Sequence, residues 1–337
     1  MYKKADSMNL NKVTIENLNR NKALDCACGC MIIIMILHHI FIRSHLNNTI
    51  EYYYYSNLTT FFMPWFFYKS GMFFKPLNYN RSKNKIKKYI NRLLIPWLAF
   101  SIIGVCVQFI VLILFEESSF KSFFYSIVTC FIYKQAPLAN IVLWYLITLF
   151  IVKSVYSIYG KYLIKNQYII FVLILSIVCS MHLITLPQII NNTLLGIFFY
   201  AIGYRVKNVE NKAVIVPILL ISIFIFVFVP SNISFVTGRI NNGYLLVWMI
   251  YSVCMILTVN YLFSLWHNKI FETIGKNSLS YYVVHFPILF FISKWNECCD
   301  FFSNMEILLI MIFVSIILLP ILSKMLKHSP YNKLLGI

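Results

Sequence analysis

Two histidines and a carboxylate lie in the first membrane-length apolar stretch of the chain, DCACGCMIIIMILHHIFIR at 25–43. At 3.6 residues per turn, Asp25 and His39 fall on one helical face roughly 21 Å apart, whereas His38 points about 100° away. Ionisable groups in a membrane-spanning helix usually face the protein interior or a wet cavity. Because a neutral imidazole can take a proton from a hydroxyl group, we expect His39 and Asp25 to act in catalysis and His38 to contact a substrate.

A second polar face is expected in the stretch GKNSLSYYVVHFPI at 275–288. Here Ser278, Tyr281, Tyr282 and His285 follow the i, i+3, i+4, i+7 spacing of one helical face. Two interpretations stay open. These groups hydrogen-bond neighbouring helices and hold a bundle together, or His285 takes part in proton transfer.

The composition excludes an ordinary soluble domain, since 60% of the residues are apolar, 12% are charged and the mean hydropathy is +0.75. The formal charge of +18 could indicate nucleic acid, but the basic residues form short clusters between apolar runs, which is typical of membrane topology signals. We therefore expect an integral membrane protein that contacts the lipid bilayer and no nucleic acid.

Apolar runs long enough to cross about 30 Å of hydrocarbon predict an all-α bundle of about ten transmembrane helices in a single domain, 1–337. The expected spans are 23–42, 57–74, 92–114, 139–159, 167–185, 188–205, 213–229, 243–265, 277–294 and 304–323. The shorter run from Phe120 to Tyr133 is expected to be interfacial or re-entrant. No small-x-small cleavage site follows the first stretch, so we expect it to be a span and not a signal peptide.

The positive-inside rule supports this arrangement, with both termini cytoplasmic in a multi-pass protein of the cytoplasmic (inner) membrane. Most of the 29 Lys and Arg residues then lie on the inside. The outside loops hold five: Arg43, Lys121, Lys134, Arg239 and Lys294.

Two inside-facing basic residues could bind an anionic ligand. Lys69 lies within the second span, where it either snorkels to the inner surface or contacts an anionic cofactor. Arg92 ends a dense basic loop that starts at Lys75, and this loop suits lipid headgroups or a phosphate-rich ligand. Asp25 is the one acid well inside a span, which argues against an ion-coupled transporter.

No metal site is expected from the cysteines. Cys26, Cys28 and Cys30 step 200° apart around a helix and cannot converge on one tetrahedral metal. The remaining cysteines lie mostly in apolar runs without a C-x-x-C pair, which favours buried free thiols.

Several stretches occur in an order that resembles membrane-bound acyltransferase family 3, particularly its fucose 4-O-acetylase-like branch. They are LDCACGCMIIIMILHHI at 24–40, MPWFFYKSG at 63–71, KKYINRLLIPWLAF at 87–100, LWYLITLFIV at 143–152, IGKNSLSYYVVHFPI at 274–288 and SPYNKLLGI at 329–337. The resemblance therefore extends over nearly the whole chain.

The resemblance implies transfer of an acyl group, usually acetyl from acetyl-CoA, to a hydroxyl of a cell-surface polysaccharide or glycolipid. It implies that His39 acts as a general base or as a transient acyl carrier, and these roles stay open. An acyl-CoA donor and a glycan acceptor are the expected partners, and a homo-oligomer is possible. The residues expected to contact substrate or cofactor are His38, Lys69, Arg92, Trp144, Asn277, Ser278, Tyr282 and His285.

The chain departs from the family pattern at two positions. Cys28 replaces a basic residue that the family commonly has eleven residues before the histidine, and Phe62 replaces a histidine before Met-Pro. Alternative functions are a flippase or exporter of lipid-linked saccharide, a glycan polymerase or ligase, and a non-catalytic partner in envelope glycan assembly. A polymerase or ligase usually needs a larger outside loop than this sequence provides.

Overall fold

The computed structural model describes residues 21–76, 79–115, 120–180, 187–207, 211–234, 239–328 and 330–336. Within these residues the chain forms a bundle of helices and one small hairpin. The first seven α-helices are α1 (Lys22–Arg43), α2 (Ile50–Thr59), α3 (Phe62–Met72), α4 (Tyr79–Tyr89), α5 (Ile95–Phe115), α6 (Phe120–Lys134) and α7 (Trp144–Leu163).

The second half of the bundle contains the hairpin. Its helices are α8 (Asn166–Ser180), α9 (Gln188–Arg205), α10 (Lys212–Phe228), α11 (Leu245–Leu265), α12 (Lys269–Lys276), α13 (Ser278–Cys299) and α14 (Asn304–Met325). Strands β1 (Asn232–Ser234) and β2 (Arg239–Asn242) pair antiparallel between α10 and α11. The fold therefore agrees with the expected all-α class apart from this hairpin.

Five helical segments in the described part of the chain are long and apolar enough to cross a membrane. They are Lys22–Arg43, Lys83–Phe115, Phe120–Leu163, Leu245–Leu265 and Asn304–Met325, and two shorter apolar helices are Asn166–Cys179 and Lys212–Phe228. These segments support a multi-pass membrane protein. The count of ten spans and the cytoplasmic termini stay predictions. The expected span end at 181–185 and the basic residues before residue 21 lie outside the described residues.

The expectation of one continuous span over 57–74 is wrong. Helix α2 ends at Thr59 and α3 begins at Phe62, so the helix is interrupted at residues 60 and 61. Pro64 gives the physical reason, because it has no N–H to donate to the carbonyl of Thr60 and its ring would clash with that carbonyl in a continuous helix. A proline in the first turn of α3 is tolerated, so the helix restarts there.

The expected helix start at 139 is also wrong. Residues Leu138–Leu143 form a 3₁₀ turn, and the regular α-helix begins only at Trp144. Asn140 interrupts the helical backbone with φ −144° and ψ 51°. Its Nδ2 donates to the carbonyl oxygen of Val283 at 3.0 Å, which ties this turn to α13.

Helix α1 packs closely against the short helix α12. A Cβ atom at Gly29 would clash with the carbonyl of Phe271, and one at Gly275 would clash with the carbonyl of Asp25. The Sγ of Cys26 also lies 3.3 Å from the carbonyl oxygen of Asn268. Backbone approach of this kind requires glycine at the crossing and fixes the start of α1 against α12.

The break between α2 and α3 is held from two sides. Trp248 of α11 donates its indole N–H to Thr60 Oγ1 at 2.8 Å, and Thr60 in turn donates to Asn232 Oδ1 of β1 at 3.0 Å. Trp65, one turn into α3, donates to Asn260 Oδ1 at 2.8 Å. These bonds hold β1 and α11 against the break between α2 and α3.

Candidate functional site

A cavity of about 830 Å³, here called the histidine cavity, lies at the C-terminal part of α1. His38 and His39 line it from α1, and Tyr282 and Phe286 line it from α13. Six asparagines also line it, from α2, the loop before α2 and the hairpin: Asn47, Asn48, Asn57, Asn232, Asn241 and Asn242. Amide groups supply donors and acceptors beside apolar ring faces, which together suit a hydroxyl-rich ring.

His39 lies among aromatic rings at the wall of this cavity. Its ring centroid is 5.4 Å from that of His285, 5.1 Å from that of Phe286 and 5.5 Å from that of His38. His38 turns the other way, and the hydroxyl of Tyr52 is 3.4 Å from its Nδ1. The two adjacent histidines therefore have different neighbours, as their 100° separation on the helix predicts.

His285 is fully buried behind His39 and its two ring nitrogens differ. Its Nδ1 lies 2.8 Å from the carbonyl oxygen of Tyr282 and 3.2 Å from that of Tyr281. A carbonyl only accepts, so Nδ1 must carry the proton and Nε2 is left as an acceptor. That Nε2 is buried and has no hydrogen-bond partner among the described residues. An unsatisfied acceptor beside His39 is a feature that chemistry at His39 can use.

Asn57 presents a second unsatisfied group at the histidine cavity. The residue is 4% exposed, and its Nδ2 donates to the carbonyl of Tyr53 at 2.8 Å. Its Oδ1 is buried and lacks a hydrogen-bond partner in the described part of the chain. A buried amide oxygen without a partner is costly, and such unsatisfied groups often occur at functional sites.

A second cavity of about 590 Å³, here called the basic cavity, lies further along the bundle toward the start of α1. Four cationic residues line it: Lys69, Lys88, Arg92 and Lys153. No carboxylate is among the described residues that line it. Its other walls are mostly apolar and aromatic, with Phe66, Tyr145, Leu146 and Leu149. Such a concentration of unbalanced positive charge attracts an anionic ligand.

The two cavities share a wall made by Met63 and Tyr282, since both residues line both cavities. The hydroxyl of Tyr282 donates to the carbonyl of Val142 in the 3₁₀ turn. This bond holds the tyrosine ring across the boundary, whereas Met63 has an unbranched side chain that moves readily. Met63 and Tyr282 therefore lie at the boundary between the two cavities.

A model of the acyltransferase domain of family 3 matches residues 21–325, which is most of the chain. The chain belongs to acyltransferase family 3. The match supports a multi-pass membrane acyltransferase and confirms the expected family, while the fucose 4-O-acetylase-like branch stays a prediction. Comparisons with curated proteins and with solved structures found no match.

The acyltransferase distributes its sequence-predicted site residues over the two cavities. His38, His39 and Trp144 line the histidine cavity. Lys69, Arg92 and Ser278 line the basic cavity, and Tyr282 lines both. His285 packs behind His39 without lining either cavity.

Two predicted residues lie apart from this group. Asp25 is buried at the start of α1, some 21 Å from His39 along the helix, and it lines neither cavity. Asn277 precedes α13, and it also lines neither cavity. The structure therefore does not bring Asp25 to the histidine, and the contacts of its backbone with Gly275 connect it with α12 instead.

Sequence reasoning did not select Lys153, Lys88, Tyr52 or Asn57 as site residues. Lys153 could have been predicted from the sequence, because a lone lysine within an apolar span needs a polar partner or a cavity. Its Nζ lies 5.4 Å from the ring centroid of Tyr89 and it lines the basic cavity. The asparagines carried no signal, since they come from separate loops and strands that only the fold brings together.

The described residues contain no group of three or more metal-ligating side chains. Cys26, Cys28 and Cys30 are free thiols on α1. Cys28 lines the basic cavity, where the family pattern commonly has a basic residue, and Lys69, Arg92 and Lys153 supply positive charge to the same cavity.

Proposed function

We propose that the protein is an O-acetyltransferase that uses acetyl-CoA to modify a hydroxyl of a cell-surface polysaccharide or glycolipid in the cytoplasmic membrane. One observation carries this proposal: a cationic cavity and a histidine-lined, amide-rich cavity meet at Met63 and Tyr282. A donor with phosphates at one end and a thioester at the other needs the first cavity, and a saccharide acceptor needs the second.

The residues of the basic cavity fit an acyl-CoA donor. Lys69, Lys88, Arg92 and Lys153 would hold its phosphates by charge-assisted hydrogen bonds. The apolar side chains of Phe66, Leu146 and Leu149 would contact its uncharged arm. When bound, the donor supplies an activated acyl group, and the residues of this chain orient that group toward the Met63 and Tyr282 boundary.

His39 is the residue proposed to act on the acceptor hydroxyl. It lies at the histidine cavity, so a sugar bound against the asparagines can approach its ring. As a base, His39 would take the proton of the acceptor hydroxyl while the hydroxyl oxygen bonds the acyl carbon, and the C–S bond of the donor would break to release coenzyme A thiol with that proton. As an acyl carrier, a ring nitrogen of His39 would first take the acyl group from the thioester with release of the thiol, and would then pass the group to the hydroxyl. His285 packs against His39 with its ring centroid 5.4 Å away, and its unpartnered Nε2 would accept the proton of His39 after a small movement of the two rings.

The proposal is tested by transfer of radiolabelled acetyl groups from acetyl-CoA to the saccharide fraction of membranes that contain the protein. We expect His39→Ala to lower the transfer rate by about 100-fold or more, because general acid–base catalysis contributes about that much. The matched control is His45→Ala, an exposed histidine two residues beyond α1 that pairs with Glu297 and lines neither cavity. Equal rates in the wild type and His39→Ala would contradict the proposal.

A saccharide flippase or exporter is the alternative, and the same membranes distinguish it. A flippase changes the side on which the saccharide appears and incorporates no acetyl label. A non-catalytic partner also incorporates no label when the protein is purified alone. Label in the saccharide fraction that depends on His39 excludes both alternatives.

A further inference from the structure

Arg43, the last residue of α1, is a cation held by aromatic rings at the histidine cavity. Its guanidinium carbon lies 4.8 Å from the ring centroid of Phe286 and 4.9 Å from that of Phe290. Its Nε is buried and has no hydrogen-bond partner in the described part of the chain. The rings fix the plane of the guanidinium and leave an N–H donor unsatisfied.

The formally charged residues that line the histidine cavity are all positive. Lys134, at the end of α6, lines the cavity with Arg43, and none of the described lining residues is an Asp or Glu. Glu297 is the carboxylate whose charge acts on Arg43, but it lies outside the lining. It is already engaged by Lys294 at 2.8 Å and by His45 at 3.3 Å.

We infer that the histidine cavity binds an oxyanion on the saccharide acceptor through Arg43, with Lys134 as a second cation. This inference rests on the proposed function and adds that the acceptor is an acidic saccharide. A neutral sugar would satisfy the asparagines but would leave the positive charges of Arg43 and Lys134 without a counter-charge in the lining. A carboxylate or a phosphate offers the planar or multiple acceptor oxygens that a guanidinium pairs with.

The test measures binding, so it does not depend on transfer. The full chain in nanodiscs of neutral phosphatidylcholine is titrated with methyl glucuronide, glucose 1-phosphate and methyl glucoside by isothermal titration calorimetry. We expect at least one of the two anionic sugars to bind about tenfold more tightly than methyl glucoside, since a charge-assisted hydrogen bond contributes about that factor. The two anionic probes distinguish a sugar carboxylate from a sugar phosphate as the source of the charge.

Variants assign the preference to Arg43. Arg43→Gln should lose most of the preference for the anionic probes, because only Lys134 then supplies positive charge to the lining, and Arg43→Lys should recover part of the preference. The control Lys121→Gln changes an exposed cation of α6, the helix that also carries Lys134, and should keep the full preference. Equal affinities for the three probes in the wild type, or an undiminished preference in Arg43→Gln, would overturn the inference.

Failure of this inference and failure of the proposed function give different results. If the acceptor is neutral, acetyl transfer still depends on His39 while the anionic probes show no preference. If the protein is not an acetyltransferase, no label reaches saccharide whatever the probes do. Thermal unfolding of Arg43→Gln and Arg43→Lys is compared with the wild type, so a loss of folding is not mistaken for a loss of binding.

Discussion

At the residue scale, His285 packs against His39 and lines neither cavity, so in the proposed function it acts through His39 and not on a substrate directly. Its ring lies 5.4 Å from that of His39 while its protonated Nδ1 is held by backbone carbonyls of its own helix. The sequence could predict that His285 shares a face with Tyr282, because that follows from helical spacing. It could not predict that this face meets His39, because the crossing of α1 and α13 is set by packing over the whole bundle.

We predict that His285→Gln lowers kcat of acetyl transfer by about tenfold and leaves the KM for acetyl-CoA within about twofold. In the proposed function, loss of a proton acceptor beside His39 affects the transfer step, whereas the donor is proposed to bind in the other cavity. Steady-state kinetics in detergent measure both constants. Ser280→Ala, on the same helix with a hydroxyl 2.6 Å from that of Ser323, is the control. A purely structural role would lower thermal stability without this separation of kcat from KM.

A second residue-scale prediction concerns Lys153. Replacement by Gln should raise the KM for acetyl-CoA about tenfold with a smaller change in kcat, because one charge-assisted contact to a phosphate is lost. Lys161→Gln, two turns further along α7 and exposed, is the matched control. If the two variants have the same KM, Lys153 does not contact the donor.

At the element scale, the short helix α12 carries a charged cluster that supports its docking on α1. Glu272 accepts from Lys276 at 2.5 Å and from His267 at 2.7 Å. These hydrogen bonds, first that of Lys276, lower the pKa of Glu272 from 4.5 to about 2. A carboxyl with a lowered pKa in the folded state adds stability above its ordinary pKa and loses it as the pH falls toward the lowered one.

We therefore predict that the wild type is more stable than Glu272→Gln at neutral pH and that the difference shrinks between about pH 4.5 and pH 2. Thermal unfolding in detergent at a series of pH values measures it. Glu51→Gln, at an exposed carboxylate of α2, serves as the control and should show a smaller difference. A difference that does not change with pH would show that the ion cluster does not stabilise this docking.

Element boundaries were predictable where apolar runs are uninterrupted. The run at 188–205 has the bounds of α9, and the run at 23–42 differs from α1 by one residue at each end. The hydropathy pattern did not reveal the interruption within 57–74, because the residues around it are all compatible in composition with a membrane span. The deciding feature there was Pro64, whose effect on the carbonyl of Thr60 is steric and does not register in a hydropathy average.

At the scale of the whole molecule, the two cavities separate residues that the charge pattern assigns to opposite sides of the membrane. Lys69, Lys88 and Arg92 line one cavity, while Arg43 and Lys134 line the other. Family membership and this division support an acyl group that passes from a donor in the basic cavity to an acceptor in the histidine cavity. The sequence could not predict the shared wall, because Met63 and Tyr282 are separated by most of the chain.

The central claim is that the protein adds acetyl groups to envelope saccharide through His39. Mass spectrometry of envelope glycans tests it most directly, in cells that encode the wild type, His39→Ala or no copy of the gene. The account predicts glycans heavier by the mass of acetyl groups in the wild type alone, and this added mass should be lost on treatment with mild base, as expected of an ester. Identical glycan masses in all three strains, or acetylation that persists in His39→Ala, would contradict it.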